Sequence, residues 1–187
     1  MTVVAVYDAC VLYPSPLRDL LIRLAVEEVV VARWSDTILD EVFRNLSANR
    51  PDLDPARLDV TRTRMNDAVL DAVVPSNTAT LARVGPLPDP DDAHVVATAL
   101  DAGASVIVTF NLRDFPTEVL EPLGLMAVHP DAFVSELLEA DPESVFATVV
   151  AQARDLRNPP RTVDDVLDAL AGCGLLEFAE RARVGPR

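Results

Sequence analysis

Half of the 187 residues are apolar, and 16 basic residues stand against 30 acidic ones for a net charge of -14. That composition supports one compact domain with a real core and excludes wholesale disorder. No apolar run approaches the roughly 18 residues of a membrane helix, and Asp8 interrupts the first apolar run where a secretory signal would continue, so the expected compartment is the cytoplasm and no membrane contact is expected. The two cysteines, Cys10 and Cys173, are too few for a disulfide scaffold or a zinc cluster and read as reduced fillers.

All basic residues are Arg; the chain contains no Lys. This excludes Schiff-base chemistry, a P-loop and the receiver-domain pairing of carboxylates with Lys. Polyanions are held chiefly by basic charge, so a general nucleic-acid binder is not expected unless cations neutralise some carboxylates. The charge is uneven: residues 1–83 carry -3, residues 84–150 carry -11, and residues 151–187 are neutral. Between Arg44 and Arg64 five Arg face three Asp; this is either the side from which a polyanion approaches or a solvated helix face with ion pairs.

In chain order, Val3 to Tyr7 reads as a buried strand ending at Asp8. Ser15 and Pro16 open a helix with a stripe at Leu17, Leu20, Leu21 and Leu24. Glu28 to Ala32 reads as a second strand, and Ser35 caps a helix through Ile38, Leu39, Val42, Phe43 and Leu46. Asp54 and Pro55 start a helix to about Leu70, with an extended piece at Ala72 to Val74 after it. Beyond the Pro86–Pro90 turn, a helix is expected from about Asp91 to Ala102, ended by Gly103 as a left-handed cap. Ser105 to Phe110 is the next strand, Leu125 to Val128 the last, and Pro130 starts a helix through about Ala140. Alternating strands and helices argue for a parallel sheet covered on both faces. Three further helices follow Asp141, with breaks at Pro159–Pro160 and Gly172–Gly174, and no internal repeat is evident.

Ligands of open parallel sheets bind beyond the carboxyl ends of the strands, which draws attention to Asp8 and to Asn111–Asp114. No Gly precedes Gly85, so the first strand-helix turn offers a carboxylate where a nucleotide-binding turn offers backbone amides. Carboxylates suit hard cations such as Mg²⁺ or Mn²⁺. On a helical wheel Asp92 falls within the apolar face made by Val95, Val96, Ala99 and Leu100. There it must be paired, protonated, metal-bound or used as a helix cap. Asp91, His94, Thr98 and Asp101 fall on the opposite or flanking side, and His94 reads as solvent-facing rather than as a ligand. The wheel of the helix at Ser35 does not choose between Asp40 and Glu41; Arg44 can reach either, and Asn45 extends the polar edge.

Four segments taken together resemble a PIN-domain protein, similar to the VapC-type toxins of bacterial toxin-antitoxin systems. They are Val4-Ala5-Val6-Tyr7-Asp8 with Cys10-Val11-Leu12-Tyr13; Ser35 with Glu41 six residues on; Leu87-Pro88-Asp89-Pro90-Asp91-Asp92-Ala93-His94 running into Val96-Ala97-Thr98-Ala99-Leu100; and Thr109-Phe110-Asn111-Leu112-Arg113-Asp114-Phe115-Pro116. Each piece is weak alone, but their order and spacing are specific. The resemblance implies a PIN-like three-layer α/β/α fold with a central parallel sheet over residues 1–135, followed by a C-terminal helical extension at 141–187. It carries the family's four acidic positions onto Asp8, Glu41 rather than Asp40, Asp92 and Asp114, with Thr109 and Asn111 as supporting polar residues. Asp8, Asp92 and Asp114 would hold Mg²⁺ or Mn²⁺, and Glu41 a second ion or the attacking water. The activity implied is metal-dependent endoribonucleolysis by the toxin of a type II toxin-antitoxin pair. RNA is then the substrate and a cognate antitoxin a partner, with a homodimer also considered. The alternative is a non-catalytic module whose acidic pocket docks an Arg-bearing partner. A HAD-type phosphatase fits badly, because Asp8-Ala9-Cys10 lacks a second Asp. The acidity of residues 84–150 and the helices after Asp141 depart from compact family members.

Overall fold

The computed structural model describes residues 2–185. Its four short strands, β1 (Val4–Tyr7), β2 (Val31–Arg33), β3 (Val106–Val108) and β4 (Met126–Val128), form one all-parallel sheet in the order β2-β1-β3-β4. The two central strands are apolar runs buried on both faces, as parallel strands covered by helices must be. The covering helices are α1 (Ala9–Leu12), α2 (Ser15–Val26), α3 (Asp36–Asn49), α4 (Pro55–Ala68), α5 (Thr78–Leu81), α6 (Ala93–Asp101), α7 (Thr117–Leu120), α8 (Pro130–Ala140), α9 (Pro142–Asp155), α10 (Val163–Gly172) and α11 (Leu176–Val184). Helix α6 packs on β1 and β3, α2 on β2, and α7 on β4. This is the expected α/β arrangement of a parallel sheet flanked by helices, with further helices at the C-terminus. Among the described residues no helix is long and apolar enough to cross a membrane.

Register explains why the loops meet where they do. Tyr7 pairs with Val108 and Val108 with Val128, so the residues that follow, Asp8 and Thr109, leave adjacent strands side by side. The Asp8 N–H still donates to the Val108 carbonyl, and the Thr109 N–H to that of Val128.

Several boundaries differ from the sequence expectation. Strand β2 begins at Val31, not Glu28, because Glu28 takes a left-handed φ of 57° and ends α2, its N–H bonding to the Ala25 carbonyl. Ser15 is the first residue of α2 and not its cap; Pro14 precedes it in extended conformation. Helices α1 and α5, each a single turn, were not anticipated. The helix expected from Asp91 starts at Ala93, and Pro90–Asp92 form a 3-10 turn before it. Ser35, Asp54 and Gly103 behave as expected: Ser35 Oγ accepts from the Ile38 N–H, Asp54 Oδ1 from the Ala56 N–H, and Gly103 has φ 60°. The 72–74 piece extends the sheet beyond β2 through a Trp34–Val73 bridge.

The C-terminal helices join the same core. Val145, Val149, Val166, Leu167, Leu170, Leu175 and Phe178 are buried in one cluster with the residues around the sheet, and α9 and α10 pack on α2. Leu156 is exposed; it lies just past the end of α9, where the helical periodicity no longer orients it. Helix α10 has its own capping box, Thr162 with Asp165. Helix α11 has no capping side chain at its own start. The carboxylate of Asp131, in the first turn of α8, accepts the N–H groups of Glu177 (3.0 Å) and Phe178 (2.8 Å) instead. The turn between α10 and α11 approaches the loop after β3, where Gly174, at φ 97°, lies against the Phe110 ring.

Candidate active site

Asp8 caps α1, and its neighbours leave its carboxylate little freedom. Oδ1 accepts the Ala9 N–H at 2.6 Å; Oδ2 accepts the Thr109 hydroxyl at 2.7 Å and the Cys10 thiol at 3.1 Å. Asp8 is 4% exposed and Thr109 is fully buried. The chain immediately after β3 closes the arrangement: the Phe110 N–H donates to Cys10 Sγ (3.3 Å) and the Asn111 N–H to Thr109 Oγ1 (3.0 Å). Burial and the Asp8 charge push the Cys10 thiol up to about 12. The Asn111 side chain itself is exposed.

Asp92 stands at the junction of the 3-10 turn and α6. It does not cap the helix, since no side-chain capping bond forms there; the cap of the preceding turn is Asp89, whose Oδ1 accepts the Asp91 N–H. The half-buried Asp92 carboxylate has no hydrogen-bond donor among the described residues. Burial, followed by the charges of Asp8, Asp89, Asp114 and Glu41, pushes it from its ordinary 3.8 up to about 7. Asp8, Glu41 and Asp114 thus lie near enough for their charges to act on Asp92, although the four residues come from four separate segments. Asp114 ends the short turn Leu112–Asp114 and is half-buried.

The structure separates the two carboxylates that the wheel of α3 could not. Asp40 is exposed and, with Asp36, is bound by Arg62 of α4. Glu41 turns inward to lie 3.7 Å from His94 Nε2; burial and then the Asp8 charge hold its carboxyl above the usual range. His94 is therefore not solvent-facing: its side chain is 22% exposed, and burial lowers its proton affinity although Asp8 and Asp91 oppose that. Thr98 is also buried, with its hydroxyl bonded to the His94 carbonyl. The α6 wheel was misleading because the helix is covered nearly all round and has no true solvent face. Of the five Arg between 44 and 64, Arg62 is paired with α3 and Arg50 with Asp52, in keeping with a solvated, ion-paired surface.

Sequence reasoning missed two neighbours of these acids, Cys10 and His94. Each lies two residues after an acidic residue at a helix start, and that spacing was the available signal. Among the described residues no three His, Cys, Asp or Glu side chains already form a closed metal-ligand group. The donors are carboxylate oxygens around a half-buried, mutually repelling centre. They fit Mg²⁺ or Mn²⁺, hard cations that keep several waters and take only one or two carboxylates directly.

Comparison with known proteins identifies the family. A family model described as PIN domain matches residues 4–113, and one described as VapC50 C-terminal domain matches residues 130–184. A curated relative from Mycobacterium tuberculosis (strain ATCC 25618 / H37Rv), named "Putative ribonuclease VapC50", is 39% identical over 92 residues, covering 49% of this chain and 54% of the relative. The chain thus spans about half the length of the curated relative it matches. No solved structure matches. With a parallel sheet flanked by helices and the family pattern running from Val4 through Arg113, more than half of its length, the chain belongs to the PIN-domain family.

Proposed function

We propose that this protein is a divalent-metal-dependent endoribonuclease and the toxin of a type II toxin-antitoxin pair, acting in the cytoplasm. Residues 1–135 form its nuclease unit and residues 141–187 a helical extension. The observation that carries the proposal is Asp92, a half-buried carboxylate with no donor of its own, held up to about 7 by burial and by Asp8, Asp89, Asp114 and Glu41. An uncompensated cluster of this kind is costly for a fold and useful to a cation site. The relative named as a ribonuclease supports the choice of RNA as substrate, and its VapC naming supports a cognate antitoxin as partner.

Asp8, Asp92 and Asp114 would hold Mg²⁺ or Mn²⁺ directly or through water, and Glu41 would bind or orient a second ion or the attacking water. The bound cation supplies Lewis acidity, activating water and offsetting charge that develops on the phosphate. Thr109 holds Asp8 Oδ2 by its hydroxyl, and Asn111 in turn steadies Thr109 through its backbone N–H. His94 Nε2 lies 3.7 Å from the Glu41 carboxylate. No side chain has to serve as the nucleophile.

Purified protein incubated with a mixed RNA pool should generate fragments with Mn²⁺ and none with EDTA, and Asp8→Asn should be inactive. Cleavage that persists in EDTA or in Asp8→Asn would overturn the proposal. Intact RNA together with tight binding of an Arg-bearing peptide would replace it with a docking function.

A further inference from the structure

Each hydrogen around Asp8 Oδ2 can be assigned. The Thr109 hydroxyl has one hydrogen and gives it to Asp8 Oδ2 at 2.7 Å. The Cys10 thiol has one hydrogen and gives it to the same oxygen at 3.1 Å. Both heteroatoms then act only as acceptors toward the backbone, Thr109 Oγ1 from the Asn111 N–H and Cys10 Sγ from the Phe110 N–H. The 3.4 Å approach of Sγ to Thr109 Oγ1 is therefore a contact between two groups whose hydrogens are already committed. Two consecutive backbone amides of the loop after β3 are thus linked to one carboxylate oxygen by two side chains from different segments, arranged in parallel.

We propose that Cys10 is a positioning residue for Asp8, the thiol counterpart of Thr109, which ties the loop after β3 to Asp8 Oδ2 and sets the orientation that the carboxylate presents to a cation. The proposal deepens the metal-dependent function given above and rests on it for its catalytic meaning. Its geometry stands apart from that reading. The Ala9 N–H holds Oδ1 and the Thr109 hydroxyl holds Oδ2; the Cys10 thiol brings a second donor to Oδ2 and ties that oxygen to the Phe110 amide. It also couples the start of α1 to the segment that leads to Asp114, so that two of the proposed ligands move together. A thiol suits the span because sulfur reaches farther than oxygen, and the two contacts it makes, 3.1 and 3.3 Å, are within sulfur hydrogen-bond range.

Three variants separate hydrogen bonding from packing. Cys10→Ala removes both functions, Cys10→Val keeps apolar bulk, and Cys10→Ser keeps a donor and an acceptor. Two quantities are measured on each full-length protein: the Mn²⁺ dissociation constant, and the exchange rate of the Phe110 amide in EDTA. Loss of an outer partner of a metal ligand commonly weakens affinity about 10- to 100-fold; Cys10→Ala and Cys10→Val should bind Mn²⁺ about tenfold more weakly. Their Phe110 amides should exchange about tenfold faster, because the N–H has lost its acceptor. Cys10→Ser should stay within about threefold of wild type on both scales, since only one weak bond is changed in kind.

Wild-type behaviour in Cys10→Val, or Cys10→Ser as impaired as Cys10→Val, would overturn the inference, because bulk or sulfur itself would then be what matters. Should Cys10→Ala fail to fold, the Val and Ser variants decide alone. Should wild type itself bind no Mn²⁺, the proposed function falls, while the Phe110 exchange rates still decide whether Cys10 is the bridge.

Discussion

Replacing Asp92 by Asn keeps the shape of the side chain and removes a charge that burial and four acidic neighbours oppose. A displacement from 3.8 to about 7 corresponds to about 4 kcal/mol at about 1.4 kcal/mol per unit. The group is only half-buried, so solvent screening reduces this to about 1–2 kcal/mol, or about 2–8 °C in melting temperature for a chain of this size. The direction follows from linkage. An acid whose folded pKa is raised keeps its proton more tightly when folded, so the stability associated with the protonated form is present below pH 4. It is lost as pH rises towards 7. In EDTA, Asp92→Asn should therefore match wild type near pH 4 and exceed it by about 1–2 kcal/mol at pH 8, while losing RNA cleavage with Mn²⁺. Glu41, also raised, adds to the wild-type decline with rising pH; His94, lowered, works the other way, costing stability as pH falls through its unfolded value near 6.5. Denaturation curves of both proteins at four pH values, with cleavage assays alongside, provide the test. An Asp92→Asn protein less stable than wild type at pH 8 would show that the carboxylate is a structural acceptor, and retained cleavage would remove it from the proposed site.

Mg²⁺ or Mn²⁺ at constant ionic strength should raise the melting temperature, because a ligand of the native state at about 100 times its Kd adds about 2.7 kcal/mol; the increment should be absent in Asp8→Ala, and a flat wild-type response to millimolar metal would refute it. Thr109→Val should cost about 1–3 kcal/mol in metal-free stability, since the Asn111 N–H loses a buried acceptor and Asp8 a donor; denaturant midpoints measure this, and no change would show that water replaces the hydroxyl. Truncation after Ala140 should expose the apolar surfaces of α2 and α8 and yield insoluble or dye-binding protein, whereas Leu156→Ser, at an exposed position, should shift stability by less than about 0.5 kcal/mol. A well-folded, soluble 1–140 fragment would contradict the shared core.

The legible parts of the fold were those with local causes. Val4 to Tyr7, the Ser35 and Asp54 caps, Gly103, and the breaks at Pro159–Pro160 and Gly172–Gly174 each carry their signal within a few residues. The candidate site was named as Asp8, Glu41, Asp92 and Asp114 from strand ends and the family pattern, neither of which says how close the four lie to one another. Misplaced residues had nonlocal causes. His94 and Thr98 were set on a solvent face because periodicity assumes that a helix is buried on one side, and α6 is covered on nearly all sides. Cys10 was taken for filler because the backbone amide that it accepts, that of Phe110, lies 100 positions away. The wheel of α3 alone left Asp40 and Glu41 undecided, because Arg62, which takes up the first of them, lies on the next helix.

The Asp131 carboxylate makes the last helix a dependent element. Its opening N–H groups find their acceptor on α8, 46 and 47 residues upstream, so α11 has no start signal that it can use alone. A peptide spanning α10 and α11 would keep the Thr162–Asp165 box on its first helix and fray at the second. During synthesis α11 emerges after α8, onto a surface where its acceptor is already waiting, so its start is placed by a residue made long before it. A sequence change at Asp131 is therefore read out at the start of α11, which depends on one side chain near the start of α8.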